Sequence, residues 1–224
     1  MKSALLFISL IGVGLAGFSQ KKVGDQPVTN DPAAKKVLDD VSAKFKTYKS
    51  VQAAFSLKNE DAKGKVLDNK KGTVSMKGSK YRVSLVGGAE IFCDGSNIWT
   101  YDKAANEVTI TKLDPSASSI SPQKLFTNFY DKDFLYKLNG EKKEAGKTLV
   151  EIEMTPVDKT KSFHKVFLLV DKNARTLYST RILDKSGTKI SYTVSSLNGK
   201  ATLADNIFVF DKSKYPGVEE VDLR

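Results

Sequence analysis

The chain of 224 residues is poor in the residues that do chemistry. It holds one cysteine, one histidine, one tryptophan and six prolines. A single cysteine, Cys93, cannot close an internal disulfide, so the fold must hold through its core alone. One cysteine and one histidine cannot assemble a zinc site, and the carboxylates show no calcium-loop spacing. A cysteine nucleophile needs a neighbouring base. The only histidine, His164, opens a different apolar stretch, and Cys93 follows the apolar-flanked "EIF", where a free thiol behaves as a small hydrophobe. There is no G-x-S-x-G and no phosphate-binding G-x-x-x-x-G-K-[ST]. Glu151 and Glu153 share a strand face in "LVEIEM", but Val150, Ile152 and Met154 take the core side, leaving the glutamates to water. No catalytic residue, metal or cofactor is expected. The inventory points away from an enzyme and towards a container or a binding surface.

Past the amino terminus, no run of apolar residues is long enough to span a membrane. At the terminus itself, Lys2 precedes the uncharged stretch "ALLFISLIGVGLAGF", and small residues follow at Gly17 and Ser19. That is the layout of a cleavable secretory signal over residues 1–19, shorter than the ~20 apolar residues a spanning helix needs. An exported product is expected, with a flexible lead at 20–30 and one domain over 31–224. The formal net charge is +10. Its lysines are spread along the chain, which argues against nucleic acid. They read as a solvated surface, with a secondary attraction to anionic lipid headgroups or acidic proteins.

Asp31-Pro32 places an N-cap and a proline at a helix start. Val37, Leu38, Val41, Phe45 and Tyr48 then recur at spacings of three and four, which predicts an amphipathic helix. After Ser50 the period drops to two. Val51, Ala53, Phe55 and Leu57 alternate with Gln52, Ala54, Ser56 and Lys58. Further alternating runs follow, separated by short turns rich in Gly, Asn, Asp and Ser. Short links imply antiparallel neighbours. The pattern breaks at "DPSASSISPQKLFTNFY", where Leu125, Phe126 and Phe129 would share a helical face. A last strand is expected at Ile207 to Phe210, before a charged tail. The fold class is therefore mainly β with helices (α+β): about 11 antiparallel strands that curl into a barrel or an incomplete barrel around an apolar cavity.

Several strings, in order, resemble the periplasmic outer-membrane lipoprotein carrier family, LolA. They are "YKSVQAAFSLK", "GTVSMKGSKYRVSL", "EIFCDGSNIWTYDKAANEVTIT", "SPQKLF" and "FVFDKSKYPGVEEVDLR". The resemblance runs from about Asp31 to Arg224. It implies a half-barrel with a helical lid and no catalytic activity. Its cavity would take lipoprotein acyl chains from an inner-membrane releasing transporter and pass them to an outer-membrane acceptor. Strand parity then nominates Phe55, Tyr81, Val83, Ile152 and Val194 as cavity wall, and Leu125, Phe126 and Phe129 as lid. The expected protein is a periplasmic monomer with lipoproteins or lipid acyl chains as partners. A binder of another lipid or apolar small molecule on the same fold is the alternative. The family carries an arginine in the turn after its second strand that helps hold the lid shut. Here that turn reads Met76-Lys77-Gly78-Ser79-Lys80, leaving Lys77, Lys80 or Arg82 as substitutes.

Overall fold

The computed structural model describes residues 30–114 and 130–224. The expected signal segment, nearly all of the lead, and the three lid residues Leu125, Phe126 and Phe129 lie outside them.

Helix α1 (Pro32–Lys46) begins where the sequence predicts. The Asp31 carboxylate accepts hydrogen bonds from the backbone N–H of Ala33 (2.8 Å) and Ala34 (3.4 Å). Its second oxygen accepts from the N–H of Leu138 at 3.0 Å. One side chain thus caps the helix and ties it to the sheet. These backbone donors, Leu138 first, hold the carboxyl below the usual aspartate range. Lys44 and Lys46 occupy the last turn, where cations suit the helix dipole. Ala34, Leu38 and Val41 are buried, and Val37, Phe45 and Tyr48 pack against the core beside them.

Among the described residues, twelve strands make a single sheet. They are β1 (Val51–Glu60), β2 (Val66–Lys77), β3 (Lys80–Leu85), β4 (Glu90–Cys93), β5 (Asn97–Asp102), β6 (Glu107–Lys112), β7 (Phe134–Glu144), β8 (Lys147–Pro156), β9 (Phe163–Asp171), β10 (Thr176–Asp184), β11 (Lys189–Asn198) and β12 (Glu219–Asp222). A one-turn helix α2 (Tyr130–Asp133) leads into β7. The spatial order is β12-β6-β5-β4-β3-β2-β1-β11-β10-β9-β8-β7. Two antiparallel meanders therefore meet at a seam where β1 pairs with β11. Among the described residues β12 and β7 are the free edges, so the barrel is open, as expected.

Three features depart from the sequence expectation. The strand expected over Ile207 to Phe210 is instead a 3-10 turn, Asp205–Phe208. The tail beyond it is not all loop: Glu219–Asp222 forms β12, which runs parallel to β6 and brings the total to twelve. Asn139-Gly140, whose letters mark a turn between strands, is not a hairpin turn. It is a bulge inside β7, and the true turn sits at Ala145-Gly146. Alternating residues on "EKKE" carry no apolar signal, so the outer end of β7 reads as loop until β8 pairs with it.

Register fixes the faces, because residues opposite each other in a ladder point the same way. From β7 inward, Leu138 faces Ile152, Ile152 faces Leu168, and Leu168 faces Thr180. Thr180 faces Tyr192, and Tyr192 faces Leu57. On the other side of the seam, Ala53, Val74, Val83, Ile91 and Thr100 follow in line. This is the inner face, and α1 covers part of it. The outer face of β3–β6 carries a second apolar cluster: Phe92, Tyr101 and Val108, with Trp99 at its margin. The carboxy-terminal segment closes over it through Phe210, Tyr215 and Val218. Tyr215 stands 4.5 Å from both Tyr101 and Phe210, measured between ring centroids.

Candidate functional site: the apolar inner face

The five wall residues nominated from parity, Phe55, Tyr81, Val83, Ile152 and Val194, lie on the inner face, and their surroundings differ. Ile152 is fully buried and Tyr81 nearly so, both in the core cluster that includes Leu38 of α1. Phe55 is buried opposite Val194, which is half-buried, as is Val83. The face is thus closed where α1 packs on it and more open beyond the helix. Near the carboxy-terminal end of α1, the cleft among Val41, Phe45, Tyr48, Leu177 and Leu197 encloses only about 10 Å³, about one water. Towards the opposite end, Leu57, Leu85, Ile182, Ile190 and Tyr192 remain half-buried.

These half-buried residues are not among the five that parity nominates, although the letters carry the signal. Leu57 continues the alternation of β1, and Ile190, Tyr192 and Val194 alternate in "KISYTV". The aromatic pair Phe55 and Tyr192, 6.1 Å apart between centroids, forms the middle of this open part. Burial pushes the Tyr192 phenol above its ordinary range. It pushes Tyr81 up to about 12, with the Cys93 thiol beside it adding to the shift. Both phenols are therefore neutral at any ordinary pH, and the face carries no charge from them.

The hairpin "IFCDGSNIWTYD" also resolves into two faces. Cys93 and Ile98 point inward, with Cys93 fully buried. Burial, first among its causes, pushes the thiol up, so it is held as the unreactive thiol. His164 is exposed. Trp99 and Tyr101 point outward, under the carboxy-terminal segment.

The substitutes for the family arginine do not reach the inner face. Lys77 and Lys80 both pair with Asp205, at 2.7 and 3.0 Å, and pin the β2–β3 hairpin to the segment after β11. Arg82 points outward, stacks 4.7 Å above the ring of Phe92 and pairs with Glu90 at 2.6 Å. All three belong to the clasp of the outer face.

Among the described residues, one buried polar atom on the inner face lacks a partner: the Thr180 hydroxyl has no protein group to bond to. A buried hydroxyl without a partner costs about 1–3 kcal/mol. Thr180→Val keeps the shape and removes the orphan. The expected result is a rise in stability of about 1 kcal/mol in urea unfolding, with the slope unchanged.

Comparison with known proteins agrees with this geometry. The family model described as "Outer membrane lipoprotein carrier protein LolA" matches residues 46–211. The chain is 27% identical over 190 residues to an outer-membrane lipoprotein carrier protein of Cupriavidus necator, covering 82% of this chain and 87% of that one. Among solved structures, an uncharacterized conserved protein of Thermus thermophilus superposes with a TM-score of 0.58 at 14% identity, covering 85% of this chain and 99% of that one. The Mycobacterium tuberculosis lipoprotein LppX superposes with a TM-score of 0.49 at 15% identity, over 78% and 100% of the two chains. A family match that spans most of its length, on an open and largely antiparallel sheet with an apolar inner face, places this chain in the outer membrane lipoprotein carrier protein LolA family.

Proposed function

We propose that the protein is an exported carrier that holds the acyl chains of lipoproteins on its inner face and moves them between membranes. In this reading it works as a monomer in the periplasm. It takes cargo from an inner-membrane releasing transporter, delivers it to an outer-membrane acceptor, and performs no chemical step. One observation carries the reading: the sheet has a continuous apolar inner face that is half-buried over Leu57, Leu85, Ile182, Ile190 and Tyr192.

The physical need is simple. Each methylene exposed to water costs about 0.8 kcal/mol, so a lipid-modified protein does not cross an aqueous space unaided. A carrier must cover those methylenes and then let them go. An open wall covers one side of an acyl chain and leaves the other in water, so it removes less of the chain from water than a closed cavity would. That favours exchangeable binding over permanent capture. The name of the Cupriavidus necator relative supports the same reading.

The test mixes the processed protein with a lipoprotein in detergent-free buffer and looks for a soluble complex by size exclusion. A one-to-one complex is expected, and depletion in the cell should strand lipoproteins at the inner membrane. Absence of a complex together with normal sorting would sink the reading. Mass spectrometry of lipid retained by the native protein separates this from the alternative. A lone apolar compound, with no acylated protein captured, would move the assignment to a carrier of that compound.

A further inference from the structure

We infer that one end of the sheet is a docking surface for an anionic lipid bilayer. Among the described residues, six large hydrophobic side chains are exposed: Val66, Leu67, Val86, Val157, Val209 and Leu223. Isolated exposed valines need no explanation. Here, however, the first four lie at the same end. Strand direction puts the β1–β2, β3–β4, β8–β9 and β10–β11 connections there. Contacts join them into a rim. The N–H of Val86 donates to the carbonyl of Lys71 at 2.8 Å, fixing the β3–β4 turn to β2. A β-carbon on Gly187 would lie 2.9 Å from that of Ala62, so the β10–β11 turn abuts the β1–β2 tip. The N–H of Lys185 donates to the carbonyl of Ser162 at 2.9 Å, joining the β8–β9 tip. Exposures of 50% for Val66, 59% for Leu67, 73% for Val86 and 51% for Val157 leave this rim apolar at its crests.

Its charge is arranged as a bilayer surface would require. The acids at the three longer tips turn inward onto their own backbones. Asp61 accepts from the N–H groups of Lys63 and Lys65, Asp158 from Thr160, and Asp184 from Ser186. Glu60 and Asp68 are paired with Lys58 and Lys70. Lys63, Lys65, Lys71 and Lys185 are exposed, and Lys189 half-exposed; none of the five has an ion pair among the described residues, though the Lys185 ammonium donates to the carbonyl of Lys159 at 2.5 Å and lies in the field of Asp158 and Asp184. The rim therefore offers ammonium groups outside ion pairs around exposed valines and a leucine. Apolar side chains entering the headgroup boundary and lysines against anionic headgroups are the two contributions that hold a protein on a membrane surface. The rim also lies at the half-buried end of the inner face, beside Leu57, Leu85 and Ile190. A docked molecule would present that opening to the bilayer, where acyl chains enter and leave. This goes beyond cargo binding, because it concerns the membrane and not the protein partners.

The experiment uses protein recovered from the extracytoplasmic fraction, whose mass fixes where the chain begins. It is sedimented with vesicles of phosphatidylcholine alone or mixed with phosphatidylglycerol. Binding to the mixed vesicles should exceed binding to the neutral ones by roughly tenfold and should weaken at high salt. Leu67→Asp with Val86→Asp, at exposed positions, should abolish the difference while leaving the melting temperature unchanged. Lys63→Gln with Lys185→Gln should reduce the anionic preference alone. No vesicle binding, or binding unaffected by either pair, overturns the proposal. Uptake of a fluorescent fatty acid in vesicle-free buffer should be equal in all variants. Its absence in the unaltered protein would count against the carrier reading and leave the vesicle result standing.

Discussion

Phe208→Ala is expected to destabilise the protein by about 3–5 kcal/mol, the range for removing a large aromatic from a closed site. Phe208 is fully buried. It ends the 3-10 turn that lies against β3 and β4. The same turn begins at Asp205, which both Lys77 and Lys80 grip. Two residues further on, Phe210 stacks within the outer aromatic cluster. Emptying the Phe208 site should therefore loosen the whole carboxy-terminal clasp. The signature is specific. Urea unfolding should shift to lower midpoint, and Trp99 fluorescence should shift to the red before the sheet itself is lost, because Trp99 packs at the margin of that cluster. A single transition at the unaltered midpoint would show that the clasp does not depend on Phe208. Lys77→Ala and Lys80→Ala together should have a far smaller effect, since exposed ion pairs contribute only about 0–1 kcal/mol.

The second large effect is expected at Gly72, on the inner face. A β-carbon there would stand 2.6 Å from Cζ of Phe55 and 2.9 Å from the carbonyl oxygen of Ser84. The ring could swing away; the carbonyl belongs to the neighbouring strand and cannot. Gly72→Ala should destabilise by about 1–3 kcal/mol, as overpacking does. It should also push Phe55 towards Tyr192 and narrow the open part of the face, weakening uptake of a fatty-acid probe. Phe55→Ala should cost less stability in the Gly72→Ala background than in the unaltered protein, because the two changes share one contact. Additive losses, with probe uptake untouched, would mean that Phe55 does not rest on Gly72.

These residues also show what the sequence could and could not reveal. The alternation of Val51, Ala53, Phe55 and Leu57 is plain in the letters, and the capped helix is equally so. Parity carried from one strand to the next put all five wall residues on one face. It fails at bulges. Between Ala54 and Phe55 the pairing with β11 slips past Ser195, so Val194 and Leu197, three apart, share the inner face. A slip at Tyr178 does the same for Leu177 and Thr180. A period of two cannot report an extra residue, since a bulge is set by how two strands meet and not by either alone. β12 was illegible for a similar reason. "EEVD" is charged, and it becomes a strand because β6 offers a free edge. The rim lysines read as solvent-facing from sequence. That they stand together with Val66, Leu67, Val86 and Val157 depends on strand direction, which only the assembled sheet fixes.

The seam between β1 and β11 sets the order in which the chain can fold. Gln52 pairs with Asn198, near opposite ends of the described chain. Each meander can form from hairpins between sequence neighbours, as β2 to β6 and β7 to β11 do. Their union must wait for the last long strand. Closing so large a loop is slow, because the entropy is lost before the contacts are made. Until then β1 has one unpaired edge and its apolar face is incomplete. The slow step in refolding should therefore be the joining of two half-sheets, and substitutions along the seam should slow it more than equally destabilising substitutions within either half.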